Sequence, residues 1–392
     1  MLLGIKKHSQ RFRSEFNRCK RLLMLKKRNP SFEILRVLAM FFIVVWHFFI
    51  HGIGQKPVGV ADSFSGVFNV CSIEFLGSLA KVSTNCYILI TGYFMIKSAM
   101  KWRKLVKVWL PIFFYSFLIC LVLLLSGSTV VKGWMDLVKS LFPIWNNSYW
   151  FATKYLALFA LSPFLSIVAT NITKSQYKVL LMLLLVINMD FLLGPIFSSN
   201  NSLLWMISLY FFGGYIRLHS DFSGNNHYGK YYFGMVAAIS AWTMIGHFSG
   251  YPAFKSPILL HYHNNNGIAF FSALFLFLWA AKLKVKEGWF SKFMMRIAPL
   301  TFGVYLIHDN AFLRTLLWKR LFAVKEYVDD WYFVLYMLGV TLAIFATCLA
   351  IDYLRDRLFK MLKVNELIDL FSDKLHNVEY GKYLKFVGYG KK

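Results

Sequence analysis

Apolar runs close to twenty residues long recur along this chain from about residue 33 to about residue 353. Nothing else in the sequence limits the possible folds as much. Roughly 20 apolar residues are what an α-helix needs to cross the hydrocarbon core of a bilayer. The runs predict about ten spans, near 33–52, 76–96, 108–126, 149–169, 179–197, 203–219, 231–249, 265–283, 298–317 and 331–353. The fold class is therefore all-α, a polytopic membrane helical bundle rather than a string of soluble domains. At 58% hydrophobic and 19% aromatic residues, the composition is unlike that of a soluble domain.

The formal charge of +26 would point to nucleic acid in a soluble protein. Here Lys and Arg gather in alternate loops, which is the positive-inside pattern, and it puts both termini in the cytoplasm. No nucleic-acid partner is expected. Residues 1–31 read as a basic amphipathic segment lying on an anionic inner leaflet rather than as a cleaved leader. Residues 32–357 form the transmembrane unit, and 358–392 a basic cytoplasmic tail. The segment "KEGWFSKFMMRI" at 286–297 reads as an interfacial helix before the ninth span. Cys19, Cys71, Cys86, Cys120 and Cys348 are scattered without metal or disulfide spacing, and read as packing residues.

Two ionisable residues in the first run, "RVLAMFFIVVWHFFIHG", are expensive in hydrocarbon. Arg36 and His47 are 11 residues apart, which puts them on one helix face about 16 Å apart along the axis. Glu33 stands three residues before Arg36 and can pair with it. With the N-terminus inside, Arg36 lies at the cytoplasmic interface and His47 in the outer half of the membrane. Taken alone, Arg36 could be a snorkelling anchor and His47 an interhelical hydrogen bond. Together they suit a long substrate with phosphates at one end and a reactive group at the other, the shape of an acyl-coenzyme A.

Further polar residues punctuate the later runs. His308 in "YLIHD" either bonds Asp309 or a neighbouring helix, or takes part in chemistry. Asp190 is an acid inside a span and a candidate acceptor contact. Trp150, Lys154 and Tyr155 in "YWFATKY" are candidates for binding the acceptor or a carbonyl. His261 and His263 in "HYHNNN" read as a polar loop, since no third ligand is near. Gly213–Gly214 reads as a close helix contact.

An arginine, ten residues and a histidine in the first span resemble the signature of the acyltransferase-3 family of integral membrane O-acyltransferases. "TNCYILITGYFMIKS" resembles the family's second-span segment, with Thr91 where Ser is usual, and "MKWRKLVKVWLP" its basic cytoplasmic loop. "SYWFATKYLALFALSPFL", "YFFGGYIRL" and "TFGVYLIHDNAFLRTLLW" resemble members that O-acetylate bacterial surface polysaccharides. The resemblance covers roughly 31–357.

It implies acetyl-CoA as cytoplasmic donor and a hydroxyl, usually of a sugar, as acceptor. The acceptor would be a cell-surface polysaccharide or its lipid-linked precursor, in the bacterial cytoplasmic membrane, with envelope-biosynthesis proteins as possible partners. His47 is implied to be catalytic. Arg36, Lys101, Arg103 and Lys104 are implied to bind the donor. No metal is implied. The transmembrane unit is expected to complete the transfer itself or to hand on to another protein. A histidine titrating near neutrality can act as general base toward the hydroxyl or carry the acetyl group covalently, and the residues do not choose. The competing reading is a polysaccharide-pathway transporter or flippase, which would favour internal repeats, and none is seen.

Overall fold

The computed structural model describes residues 28–54, 64–98, 102–189, 202–222, 227–248 and 264–376. Its regular elements are helical throughout. α1 spans Pro30–His47 and runs on into a π-helical turn, Phe48–Ile53. Asn29 caps α1 by accepting from the Ser31 N–H at 3.1 Å, and Pro30 opens the first turn, where its missing N–H costs nothing. α2 is Phe64–Ala80, α3 Ser83–Met95, α4 Trp102–Leu125 and α5 the short Trp134–Ser140. α6 is Trp150–Asn171, α7 Lys174–Asn188, α8 Leu203–His219 and α9 Tyr228–Phe248. α10 is Gly267–Lys282, α11 Trp289–Ile297, α12 Thr301–His308 and α13 Ala311–Thr315. α14, Phe333–Met361, is the longest, and α15, Val364–His376, follows it.

Among the described residues, five helices are long and apolar enough to cross a membrane: Pro30–Ile53, Arg103–Leu125, Trp150–Asn171, Trp289–His308 and Phe333–Met361. Gly267–Lys282 is apolar but shorter. Two of the expected runs are divided differently. The run expected as one span over 76–96 is divided at Lys81–Val82 between α2 and α3. The run expected over 298–317 stops at His308, where Asp309 and Asn310 leave the helix. The expected interfacial helix at 286–297 is instead joined through the 3-10 turn Ala298–Leu300 to α12. α14 also runs past residue 357, so the expected tail begins as helix.

The helices pack without gaps where small residues let them approach. Gly92 of α3 lies against the Tyr210 backbone of α8, and Gly213 of α8 lies against the Leu89 backbone of α3. Each occupies space that a Cβ would need, as the glycine pair at 213–214 implied. Gly303 of α12 is covered by the Asp352 side chain of α14. Asp352 is fully buried, and its charge is met by Arg355 at 2.9 and 2.8 Å and by the Tyr115 hydroxyl at 2.8 Å. A buried carboxylate is tolerable only with such partners. The trio ties α4 and α14 together behind α12. α12 is thereby fixed with its other face toward α1, α3 and α6.

Candidate active site

His47 is the last residue of α1, and its ring is buried. Its Nδ1 lies 2.8 Å from Nε2 of His308, at the end of α12. Nδ1 of His308 lies 2.6 Å from the Val304 carbonyl oxygen. A carbonyl only accepts, so that nitrogen carries its hydrogen. The neutral His308 ring must then accept at Nε2, and His47 donates from Nδ1. Nε2 of His47 is left with the lone pair, as a base or nucleophile requires.

Asp309 follows in the chain, with its N–H bonded to the Tyr305 carbonyl. The residue is 3% exposed. Its Oδ1 lies 3.8 Å from Nδ1 of His47, 3.3 Å from Nε2 of His51 and 3.6 Å from Nη1 of Arg314. One buried negative charge thus sits among three positive or protonatable groups, as a buried charge needs. The π-helical turn after His47 carries His51 into this group, and the two imidazole centroids are 5.0 Å apart.

His47, His51 and Asp309 also offer ligand atoms within 4.8 Å of one another, the set that could hold a metal ion. Arg314 already places positive charge beside the same carboxylate oxygen, which works against a cation there.

The far side of the site is built by the start of α6. Tyr149, its N-cap residue, donates its hydroxyl to the Leu306 carbonyl at 3.0 Å and accepts from Nδ2 of Asn310 at 2.7 Å. Asn310 also caps α13, its Oδ1 accepting from the Phe312 N–H at 3.0 Å. The helix break at Asp309–Asn310 is therefore held by hydrogen bonds to its neighbours. Tyr305 lies between these parts, with ring centroids 6.5 Å from His47, 6.4 Å from His308 and 5.6 Å from Phe151.

A series of hydroxyls lies between α3, α6 and α12. Thr301 gives its hydrogen to the Ala298 carbonyl, so the Tyr87 hydroxyl donates to it at 2.8 Å. Thr91 gives its hydrogen to the Tyr87 carbonyl, so Tyr155 donates to Thr91 at 3.3 Å. Arg36 is within electrostatic reach of Tyr87 and is paired with Glu33 at 2.6 Å, as their spacing predicted.

Of the residues read from sequence, the structure brings His47 and His308 together directly, whereas Tyr155 packs against Phe151 and Phe302 with its hydroxyl on Thr91. The bond to a neighbouring helix expected for His308 is the one to His47. Trp150 and Lys154 lie one helical step away from Phe151 and Tyr155, and Lys154 sits over the Trp150 ring at 5.6 Å. Arg103 lies 3.9 Å and Lys107 3.5 Å from Asp369 of α15, and Lys104 donates to Ser98 at 2.9 Å. Their recorded partners are thus different from that of Arg36. Lys101, Asp190, His261 and His263 lie outside the described residues. Sequence reasoning gave no site role to His51, Tyr305 or Arg314, and to Asp309 only that of a bonding partner for His308. Their one signal was density: "YLIHDNAFLR" holds three of the four within ten residues.

The family model of the acyltransferase domain called acyltransferase-3 matches residues 29–353. The chain belongs to the acyltransferase-3 family. The matched region takes in both histidines, Asp309 and the start of α6, so the site lies within the family domain. With its five helices able to span a bilayer, the chain is a membrane acyltransferase. Comparison with curated proteins gave no match, and neither did comparison with solved structures.

Proposed function

We propose that this acyltransferase-3 protein moves an acetyl group from cytoplasmic acetyl-CoA to a sugar hydroxyl of a bacterial surface polysaccharide or its lipid-linked precursor. On this reading both termini are cytoplasmic, and the shorter apolar helices complete a bundle of about ten spans in the cytoplasmic membrane. Arg36 anchors the phosphates of the donor by charge-assisted hydrogen bonds. Lys101, Arg103 and Lys104 add positive charge at the same face. Tyr87, Thr91, Tyr155 and Thr301 offer hydroxyls to the amides of the pantetheine arm. Trp150, Lys154 and Asp190 belong to the acceptor side.

The observation that carries the reading is the state of His47. Its Nδ1 is committed to His308, with Asp309 at 3.8 Å, so Nε2 is the atom able to take a proton. The acceptor hydroxyl gives its proton to Nε2 as its oxygen attacks the thioester carbonyl carbon. The imidazolium that forms is stabilised by the Asp309 carboxylate. The carbon–sulfur bond then breaks, and the proton passes to the departing thiolate. An acetyl-histidine intermediate would use the same nitrogen as nucleophile.

The test follows labelled acetyl-CoA in membranes holding either the parent or His47→Gln. Glutamine keeps a polar side chain but cannot take the proton. Loss of a base costs on the order of 10²- to 10⁴-fold in rate. Near-normal transfer by His47→Gln would make His47 structural and end this assignment.

A further inference from the structure

The Tyr305 hydroxyl is buried and has no hydrogen-bond partner among the described residues, although it stands in the most polar part of the interior. The Asp309 carboxylate and the Phe151 N–H are its hydrogen-bonding neighbours, though neither completes a well-formed bond to it. A buried hydroxyl left this way costs stability and calls for an explanation. Thr301, Tyr305 and His308 share one face of α12, and both neighbours of Tyr305 on that face are engaged, Thr301 with Tyr87 and His308 with His47.

The second half of the observation is the start of α6. No side chain caps it, and the N–H of Phe151 in its first turn is directed at the Tyr305 hydroxyl. The N-terminus of a 22-residue helix concentrates donors and a partial positive charge. Tyr149 fixes that end against α12 through Leu306 and Asn310.

We propose that the Tyr305 hydroxyl and the Phe151 N–H together form the oxyanion pocket of the acyl transfer, facing His47. The inference rests on the reading of His47 as base. When the acceptor oxygen bonds to the carbonyl carbon, the carbonyl's π electrons move onto its oxygen. The two donors receive that oxygen, and the acceptor's proton goes to Nε2 of His47. When the carbonyl re-forms, the carbon–sulfur bond breaks and the thiolate leaves with the proton. Donors held in place before the reaction, in a water-poor site, stabilise this charge far better than water-exposed donors do. Tyr305 is on this account a catalytic residue, and Tyr149 a positioning residue.

The experiment measures steady-state transfer from acetyl-CoA in detergent-purified Tyr305→Phe, Tyr149→Phe and His47→Gln, together with thermal unfolding. Phenylalanine keeps the ring of Tyr305 and removes only the hydroxyl. The expected result is a kcat lowered about 10²- to 10³-fold for Tyr305→Phe, with KM for acetyl-CoA unmoved and the melting temperature unmoved or raised. Tyr149→Phe should lower kcat about ten-fold through drift of the α6 start. Full activity of Tyr305→Phe beside an inactive His47→Gln would overturn the oxyanion pocket and keep the base. Full activity of both would overturn the base reading itself. A raised KM with unchanged kcat would make Tyr305 a donor-binding contact and overturn the proposal. If Tyr305→Phe fails to fold, Tyr149→Phe decides: an unchanged kcat there overturns it.

Discussion

At the scale of single residues, the site is a chain of fixed tautomers ending in one free nitrogen. The Val304 carbonyl sets His308, and His308 sets His47. On the proposed mechanism, Asp309 adds the charge that favours the protonated form of His47 during reaction. Asp309→Asn removes that charge while keeping the shape, and amides can hold the wrong tautomer of a neighbouring histidine. Its kcat should fall between about 10²- and 10⁴-fold with little change in KM for the donor. Steady-state rates at saturating acetyl-CoA check this, and a rate within a factor of three of the parent would count against an electrostatic role. His47 and Arg36 could be read from sequence because both lie on one helix, where spacing alone gives geometry. The His47–His308 bond could not, since 261 residues separate its ends and no periodicity reports a contact across helices. Phe151 carried no signal either, because an apolar ring in an apolar run looks like every other.

At the scale of elements, the close backbone contact between α3 and α8 constrains the bundle. Gly92 and Gly213 each occupy space with no room for a methyl group. Gly213→Ala must push α8 off the Leu89 backbone, and overpacking of this kind costs about 1–3 kcal/mol or more. The variant should melt several degrees lower in detergent, whereas Gly339→Ala, which meets open space on α14, should not. A melting temperature shared by parent and Gly213→Ala would mean the helices can part freely. Close packing here was visible in the sequence as a glycine pair. The break between α2 and α3 was not, because the apolar run continues across Lys81 without a proline or a loop composition. Lys81 itself is buried with its ammonium 4.4 Å from the Trp46 ring, beside the residue that precedes His47. A cation–π contact of this kind helps a lysine remain inside such a run.

At the scale of the whole molecule, the charge pattern makes the sharpest claim. Lys286 and Lys325 are both exposed, and the positive-inside pattern puts them on opposite sides of the membrane. In a cysteine-free background, a cysteine at 325 should react with an impermeant maleimide added to intact cells, and one at 286 only after permeabilisation. The reverse labelling would invert the topology, and the donor site with it. That class and family could be read from sequence follows from the length of the apolar runs and the Arg36–His47 spacing. How the runs divide into helices could not, because hydropathy does not see where a run is cut into two short helices.

The π-helical turn at Phe48–Ile53 bears on how such a chain can change over time. A π turn carries one residue more than the α turn it replaces, the trace that a single inserted codon leaves in a helix. Taking that residue out would let the turn close to α, and because the wider turn already absorbs the extra residue, the phase of the chain beyond would hardly change. The residues that fill the turn, His51 beside Asp309 and Gly52 against Val324 among them, would be the ones re-aimed, while His47, upstream, would stay where it is. Gene length in this stretch is therefore tied to active-site composition: substitutions can accumulate around the turn, but a lost codon would redraw which residue faces Asp309.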